Sequence, residues 1–446
     1  MEARTVNFEL KYNKAPIHGE IGPDVQSITY VDCAADSSDS CNVEIDAQDS
    51  KWANAWMPDE GATLWLRIVG RNWYAQGDRH FMDCGLFTLD DLAYSDAPTT
   101  LNIGGVAKPN NSDFSELERE KVWKNTSVKR IGSTIAGRYG LGFSYDATDY
   151  SIVCWEQDGT DSSEYNELCK NYGLIMKVYS NRLWVFDRET YKKKAAAMTI
   201  YRTDIVKNSF NWKKGIAGTF TGGYFSYTDP DKDCDITASI GGGTRTKDIS
   251  RYASSVADAA SQLVAELNNA NHGMTKATFK LPGNWSIASG MNINLRGFGS
   301  AIDGKYFVDK VTHNLTRSGG FTSSVECSLC TKAFSASDVG GSIVYNDKTT
   351  DDAAAYSSTY GTTVAAADAA STNAGATAGA AVTLENAPFY VSSTATTVAA
   401  RKSGTFYYYD GILIAGRYRI TISASRCGKL PVGENVTGWV PASYCK

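Results

Sequence analysis

Apolar and polar residues alternate along much of the first hundred positions. Val6, Phe8 and Leu10 alternate with polar residues, and the same pattern recurs at 41–45 and 64–68. A period of two places every second side chain on one face, as in a strand with one buried face. Stretches of turn-forming residues separate these runs. The pattern therefore predicts a compact antiparallel β-domain at the start of the chain.

A short pattern of residues occurs twice, far apart in the chain. Residues 61–67 match residues 290–296 in the glycine, two alternating aliphatic side chains and the arginine. A second matching run follows each copy, after a longer loop in the first copy. Two strand motifs in the same order predict a duplicated β-domain. The second runs are Gly85, Phe87, Leu89, Asp90 and Leu92 in the first copy, and Gly304, Tyr306, Val308, Asp309 and Val311 in the second.

The period changes to that of a helix in the middle of the chain. Apolar residues three and four apart over 128–139 predict an amphipathic helix. Asp161 and Glu164 resemble a capping box at the start of a second helix, which Gly173 ends. Two short apolar runs within 174–186 then read as a hairpin. Together these elements predict a small α/β domain inserted between the two β-halves.

The second half returns to strands around one strong helix. An apolar stripe from Tyr252 to Leu267, closed by Gly273, predicts that helix, and a hairpin is predicted to turn at Gly319 and Gly320. The predicted fold class is mainly β with an α+β insert. The predicted domains are a first β-barrel at 1–104, an α/β insert domain at 105–195, a second β-barrel at 196–332, an Ala/Ser/Thr/Gly-rich linker at 333–384 and a small barrel at 385–446. The linker composition buries too little apolar surface to offset its ordering entropy.

Composition excludes some classes of partner and compartment. The 446 residues include 44 basic and 49 acidic ones, with no basic run, which argues against a nucleic-acid partner. The chain has no apolar signal core and no apolar stretch of about 18 residues, so we expect neither export by the usual route nor a membrane span. The ten cysteines are expected to stay reduced and to pack as small apolar side chains.

Histidines and cysteines do not form recognisable sites in the sequence. None of the four histidines has a partner at metal-ligand spacing, so structural roles are expected for them. The pair Cys327 and Cys330 lies in a predicted strand without a second pair at zinc-ribbon spacing, which favours packing cysteines. The histidines are His18, His80, His272 and His313.

Two loop-like segments partly resemble ion-binding and phosphate-binding loops. The aspartates at 229, 231, 233 and 235 alternate as in a calcium loop, but Cys234 replaces the required glycine and Ile240 the required glutamate. A solvated hairpin tip fits better, and weak ion binding stays open. The glycines at 241–243 are not followed by a phosphate-binding lysine, and no nucleophile elbow is present. We therefore predict no catalytic residue, no cofactor site and no enzyme activity.

Several segments resemble the phage late-control D family. The segments at 281–283, 290–299, 303–315 and 319–323 resemble that family's second barrel. The stretches at 27–30, 46–52 and 83–92 are similar to its first barrel, so the resemblance covers about the first 332 residues. The family contains the baseplate hub proteins of contractile phage tails, tailocins and related injection machines.

The resemblance implies a structural role in a tail baseplate. It implies a homotrimer whose six quasi-equivalent barrels match the six-fold tail tube to the three-fold central spike. The implied partners are the tube protein, the spike protein, the tape-measure protein and other baseplate proteins, without nucleic-acid recognition or stable membrane insertion. The implied location is the tail baseplate of a phage or a headless tailocin, assembled in the cytoplasm of the host bacterium.

The last sixty residues resemble a bacterial SH3-like domain. The similar segments are 389–391, 404–409, 418–421 and 438–441. Some relatives of that domain bind cell-wall peptide and others bind protein. The resemblance makes Tyr407, Tyr409 and Trp439 candidates for a ligand-binding face, with core packing as the alternative for each of them.

Two other functions stay open at the level of the sequence. One is a tail-associated protein that binds or degrades the cell wall. Hydrolysis lacks support because the last sixty residues contain no histidine and no acidic pair in a recognisable cleft. The other is a secreted adhesin built from β-domains. The absence of a signal peptide argues against an adhesin, although a tail component released by lysis needs none.

Overall fold

The computed structural model describes most of the chain as two compact units. One unit comprises residues 1–227 and 239–335, and the other comprises 228–238 and 336–446. Strands dominate and helices are few, which confirms the predicted mainly β fold class. The described residues are 2–35, 37–109, 113–230, 232–317, 320–345, 357–360, 378–390, 398–414, 416–427 and 436–445.

Six main strands form the first β-domain. Its elements are β1 (Thr5–Tyr12), β2 (Ala15–Pro16), α1 (His18–Ile21), β3 (Val25–Cys33), β4 (Ser40–Asp46), β5 (Thr63–Arg71), β6 (Arg79–Ser95) and β7 (Thr100–Val106). The main strands follow the order β1-β5-β6-β7-β4-β3, and all neighbours are antiparallel. Alternate side chains of these strands build one apolar core, as the period of two predicts.

The inserted α/β domain has a core of its own. Its elements are α2 (Asp113–Glu116), β8 (Glu118–Ser127), α3 (Val128–Arg138), β9 (Gly142–Asp146), β10 (Ser151–Thr160), α4 (Asp161–Asn171), β11 (Leu174–Tyr179), β12 (Arg182–Asp187) and α5 (Arg188–Lys193). Strands β8 and β10 form a ribbon, and β9, β12 and β11 form a small sheet. Helices α3 and α4 and the hairpin β11–β12 lie where the periodicity predicts them.

The predicted capping box at the start of α4 is wrong. The helix is capped by Thr160, whose Oγ1 accepts a hydrogen bond from the Ser163 backbone N–H at 3.2 Å. Asp161 is fully buried instead, pairs with Arg138, and accepts a 2.6 Å hydrogen bond from the Tyr139 hydroxyl. A charged partner and a phenol hold this carboxylate more strongly than a backbone N–H at the helix end would.

A second β-domain follows, interrupted by an excursion that carries the longest helix. Its elements are β13 (Met198–Tyr201), β14 (Asn211–Lys214), β15 (Gly222–Asp229), β16 (Cys234–Gly241), β17 (Thr246–Ser250), α6 (Val256–His272), β18 (Thr275–Pro282), β19 (Asn292–Arg296), β20 (Gly304–Thr316) and β21 (Gly320–Leu329). The order β13-β19-β20-β21-β18-β14 repeats that of the first domain. Helix α6 begins after Tyr252, with Ser255 as its cap. Gly319 of the predicted turn lies outside the described residues.

The two β-domains are parts of one sheet. The second half of β20 pairs antiparallel with β3, which joins both sets of strands into a sheet of 13 strands. The sequence predicted two related domains but not this connection. The cores nevertheless stay distinct, because the first contains Ile28 and Leu66 and the second contains Phe279 and Leu295.

The remaining strands belong to the C-terminal part of the chain. They are β22 (Gly340–Tyr345), β23 (Ser357–Tyr360), β24 (Ala381–Phe389), β25 (Ala400–Ile414), β26 (Arg417–Thr421) and β27 (Gly438–Pro441). Strands β24 to β27 form an antiparallel sheet around Val382, Leu384 and Ile420. Strands β22 and β23 fall in the range predicted as linker, of which 346–356 and 361–377 lie outside the described residues. None of the helices described combines the length and apolar character needed to span a bilayer.

Replacing Gly70 by alanine tests the contact between the two β-domains. A Cβ at Gly70 in β5 would lie 2.2 Å from the Trp285 ring, which belongs to the second domain. The rigid indole must then move, so we expect the free energy of unfolding to fall by about 1–3 kcal/mol. Chemical denaturation followed by tryptophan fluorescence measures it. Gly19→Ala is the control, because nothing lies within 4 Å of its Cβ. Equal effects of both variants would contradict this packing.

Candidate functional site

The duplicated hairpins pair in the same register. In β5–β6, Leu64 lies opposite Phe87 and Leu66 opposite Gly85. In β19–β20, the matched residues lie opposite each other in the same way, and the loop before each hairpin has a glycine with positive φ. These pairs are Ile293 with Tyr306 and Leu295 with Gly304, and the glycines are Gly61 at φ 75° and Gly290 at φ 80°.

One irregular feature of the long strands matches as well, in their pairing with the strand that follows each of them, β7 and β21. Each long strand has a β-bulge at its matched aspartate, Asp90 in β6 and Asp309 in β20. The residue before each bulge makes an equivalent backbone hydrogen bond, from Leu89 N to Ala62 O at 2.9 Å and from Val308 N to Met291 O at 2.8 Å. A bulge at the same position of two hairpins is a specific feature of the backbone. The predicted duplication is therefore confirmed.

The joint between the copies is an antiparallel ladder with an aromatic stack beneath it. Strand β3 pairs with β20 from Ser27 opposite Thr316 to Cys33 opposite Lys310. The rings of Tyr30 and His313 stack at 5.9 Å with an interplanar angle of 11°. His313 is buried, and burial lowers its pKa to about 4, so the imidazole is neutral at pH 7. It therefore serves as a flat packing group in this joint.

A buried lysine of the insert connects all three parts of the first unit. Lys177 in β11 places its Nζ 2.5 Å from Asp32, 3.0 Å from Asp39 and 3.1 Å from the Ser289 hydroxyl. It also donates to the Cys33 carbonyl at 2.9 Å. Asp32 lies in β3 of the first copy, and Ser289 lies in the loop before β19 of the second copy. One ammonium group thus ties the insert to both copies of the β-domain.

The electrostatics of this cluster distinguish its two carboxylates. Burial raises the pKa of Asp39 to about 6, against the attraction of Lys177. Burial opposes ionisation of Asp32 too, but Lys177 and two hydrogen bonds from Ser289 lower its pKa below the usual value. The aspartates in turn raise the pKa of Lys177 despite its burial. The cluster therefore holds a charged lysine beside a fully ionised Asp32 at neutral pH.

A group of aromatic rings makes a second contact between the copies. Trp73 of the first copy donates its indole N–H to the carbonyl of Gly283 at 2.9 Å. Its ring meets Trp285 edge-on at 5.7 Å, and Trp285 lies 4.8 Å from Phe321. Such offset and edge contacts add to the apolar area that the rings bury.

A cleft of about 770 Å³ opens beside the joint. Its walls include Tyr30, Lys177, Trp285 and His313. The charged groups that line it are already paired, as Asp83 is with Arg67 at 2.5 Å and Lys194 with Asp146 at 3.5 Å. The charged groups of the cleft thus serve contacts between segments of the chain.

The aspartate run considered as an ion site is engaged in local contacts. Asp229 accepts hydrogen bonds from the backbone and side chain of Lys232, and Asp235 accepts one from the Thr228 hydroxyl at 2.6 Å. Position 231 lies outside the described residues. Within the described ranges, no group of three or more His, Cys, Asp or Glu residues could hold a metal ion. All ten cysteines are unpaired.

The three candidate aromatics of the C-terminal sheet differ in their surroundings. Tyr407 lies opposite Thr421 and Trp439 opposite Arg419, so the two aromatics share the face of the sheet away from its core. Trp439 also lines a groove of about 340 Å³. Tyr409 is 3 % exposed and does not lie on an open face, which corrects its proposed place there. A ligand-binding role for Tyr407 and Trp439 stays a prediction.

Comparison with solved structures finds tail proteins that are similar over about three quarters of the chain. The 43 kDa tail protein of prophage MuSo2 from Shewanella oneidensis matches with a TM-score of 0.55 and 12% identity, over 73% of this chain and 99% of that one. The tail protein from Neisseria meningitidis MC58 matches with a TM-score of 0.54 and 12% identity, over 72% and 96%. The chain has the fold of these tail proteins. A scan against protein-family models and a search of curated proteins find no match.

Sequence reasoning missed the joint. Lys177 interrupts the apolar run of β11, and a lysine within a buried hairpin is a signal for a buried ionic partner. The sequence did not indicate which groups this lysine meets, since Asp32, Asp39 and Ser289 lie in distant segments. The tail-protein fold brings these segments together.

Replacing Lys177 by methionine should destabilise the first unit in a pH-dependent way. The variant leaves Asp32 and Asp39 buried without their cation, so we expect the free energy of unfolding to fall by about 3–5 kcal/mol at pH 7. The folded-state pKa of Asp39, about 6, lies above its ordinary value. In the wild-type protein the stability that comes from this raised pKa is lost as the pH rises through about 6. Lys177 lowers the pKa of Asp39, so its removal raises that pKa further and leaves the buried carboxyl protonated and uncharged at pH 5. The loss in the variant should accordingly be smaller at pH 5.

Denaturation curves at pH 5 and pH 7 measure both effects. Lys310→Met is the matched control, because Lys310 pairs with Glu326 while both side chains are more than a third exposed. An exposed pair of this kind contributes about 0–1 kcal/mol. A loss in Lys177→Met that matches the control, or that does not change with pH, would show that the buried cluster does not stabilise the joint.

Proposed function

We propose that this protein is the structural hub of a tail baseplate, a member of the late-control D family that acts without chemistry of its own. Three chains form a ring, and the two β-domains of each chain supply six quasi-equivalent units. The ring matches the six-fold tail tube on one side and the three-fold central spike on the other. A closed ring of repeated units needs the same kind of joint at each boundary.

The duplication within one chain is the observation that carries this proposal. Two copies with the same strand order, the same register in the hairpins β5–β6 and β19–β20, and the same bulge are what a trimer needs to present six similar units. The fold shared with two tail proteins supports a role in a tail at the level of fold. In this proposal the five predicted domains keep their boundaries, with the SH3-like domain at 385–446 added to the hub.

The partners and location follow from that role. The ring contacts the tail tube protein, the spike protein, the tape-measure protein and other baseplate proteins. It belongs to the baseplate of a phage or a tailocin and assembles in the cytoplasm of the host bacterium. Nucleic acid and a stable membrane insertion have no part in this function.

A second candidate function concerns the C-terminal sheet alone. The groove beside Trp439 also contains Tyr390, Lys402 and Arg419, and Arg419 lies 5.2 Å from the Trp439 ring. Aromatic and cationic side chains around one groove suit a carboxylate-bearing peptide, such as the stem peptide of a cell wall. This favours cell-wall binding, whereas no side-chain cluster in the described part of this domain supports cell-wall degradation.

The mass in solution tests the hub. We expect multi-angle light scattering to give about three times the 48.3 kDa chain mass at micromolar concentration, because the ring closes only with three chains. Dilution should lower the mass towards that of one chain without a stable dimer. A mass of one chain at every concentration would contradict the ring.

Binding to cell walls tests the second candidate. We expect Trp439→Ala to reduce co-sedimentation of the protein with purified peptidoglycan about tenfold, because the groove loses its aromatic wall. Tyr444→Ala is the control, since Tyr444 is an exposed aromatic of the same domain that does not line the groove. Equal binding by both variants would contradict the groove, and a cleared zone in a cell-wall zymogram would contradict a role without chemistry.

A further inference from the structure

The duplication identifies a counterpart for each strand of the joint. The matched registers align β6 with β20 and β3 with β14. Tyr30 of β3 contacts the edge of Phe87 at 6.0 Å. Trp212 of β14 donates its indole N–H to the Tyr306 hydroxyl at 3.1 Å. Since Phe87 and Tyr306 are matched positions, Trp212 is the counterpart of Tyr30.

Within the chain, β3 and β20 pair with each other, whereas their counterparts β14 and β6 do not. Strand β3 covers β20 from Lys310 to Thr316. The corresponding stretch of β6 starts at Asp91 and pairs on one side with β7, and no strand covers its other side in the described part of the chain. Strand β14 likewise pairs only with β18 there and forms one end of the sheet. Each chain therefore has two open strand edges, on β6 and on β14. They correspond to β20 and β3, which pair with each other inside the chain.

The two open edges are complementary in charge. The stretch of β6 contains Asp91 and is followed by Asp96, whereas β14 ends in Lys213 and Lys214. All four of these side chains are exposed. Neither lysine has an ion pair within the described residues. In the register of the β3–β20 pairing, Asp91 would lie diagonally across from Lys213, within reach of a long side chain, and this opposite charge favours the pairing of the edges.

The two edges also offer a matching aromatic pair. Tyr94 on β6 is 46 % exposed and corresponds to His313 on β20. Trp212 on β14 corresponds to Tyr30, and His313 and Tyr30 stack in the joint inside the chain. An exposed tyrosine and a half-buried tryptophan thus occupy the two positions where a ring stack is expected.

We propose that β6 of one chain pairs antiparallel with β14 of a neighbouring, identical chain, in the register of the β3–β20 joint. This inference rests on the proposed ring and specifies how its chains associate. Tyr94 of one chain then stacks on Trp212 of the neighbouring chain, as His313 stacks on Tyr30 within one chain. The contact is head-to-tail, because β6 and β14 are different surfaces, and it repeats around the ring. The facing residues are Leu92 and Lys214, Ala93 and Lys213, Tyr94 and Trp212, and Ser95 and Asn211.

Disulfide cross-linking tests this register directly. The variant with Ala93→Cys and Lys213→Cys places its new thiols on facing positions, with Cβ atoms about 5 Å apart. Mild oxidation should link most chains into dimers and trimers on a non-reducing gel. The control with Asp91→Cys and Asn211→Cys is four residues out of register, about 13 Å apart along the strands, too far for a disulfide. The two single variants Ala93→Cys and Lys213→Cys report linking through the ten native cysteines.

The outcomes separate this inference from the proposed function. Linking of the in-register pair alone supports the β6–β14 contact. A trimer by light scattering in which the in-register pair does not link, or links no better than the control, overturns the contact and leaves the ring. A protein that stays monomeric overturns the ring and the contact together.

A surface variant gives an independent measurement on the same contact. Tyr94→Ser removes the ring of the open β6 edge, and we expect about a tenfold rise in the concentration at which half of the chains associate. Tyr224→Ser is the control, because Tyr224 is also a strand residue and is 44 % exposed. Thermal melts should show that both variants fold. Equal association of the two variants would overturn the predicted contact.

Discussion

The backbone ladder between β3 and β20 is the interaction on which the rest of the first unit depends. It joins segments that are almost three hundred residues apart, and without it both strands would leave buried N–H and C=O groups unpaired. Each such group costs about 1–3 kcal/mol. The ladder therefore fixes how the two β-domains lie against each other, and the stack of Tyr30 on His313 fills the space beneath it.

The buried ionic cluster is a consequence of that ladder. Asp32 lies at the end of β3, so the ladder brings it next to Ser289. Asp32 and the Ser289 hydroxyl then both contact the ammonium group of Lys177. Removing these charges from water has a cost, and an apolar contact of the same size would stabilise as well or better. An apolar contact would also tolerate sliding, whereas an ammonium shared by two aspartates and a hydroxyl defines one position. The cluster therefore sets the geometry of the insert on the joint.

Local sequence patterns were enough to predict most helices and strands. The features that were not predicted depend on pairing between distant segments. Periodicity predicted β5, α3 and the hairpin β11–β12, because each depends on neighbours in sequence. The duplication was predicted from residue matches between two distant segments, which need no knowledge of their contacts. Tyr409 was misplaced because the pairing of β25 with β26 is irregular after Tyr408, which breaks the alternation of faces. The partners of Lys177 were missed because no local pattern specifies a contact with Asp32, 145 residues earlier.

The charges on the open edges of β6 and β14 could serve either to prevent unwanted strand pairing or to attract the two edges to each other. Which edge carries positive and which carries negative charge distinguishes these two explanations. Lysine on an edge strand is a common way to prevent unwanted pairing. Charges of either sign would serve that purpose, yet here two lysines stand on β14, while one aspartate stands on the open stretch of β6 and a second directly follows it. Like charges oppose pairing of β14 with β14 or of β6 with β6, while opposite charges permit β6 with β14. The edges thus disfavour a two-fold dimer and favour a head-to-tail contact, the only kind that a ring of more than two chains can repeat.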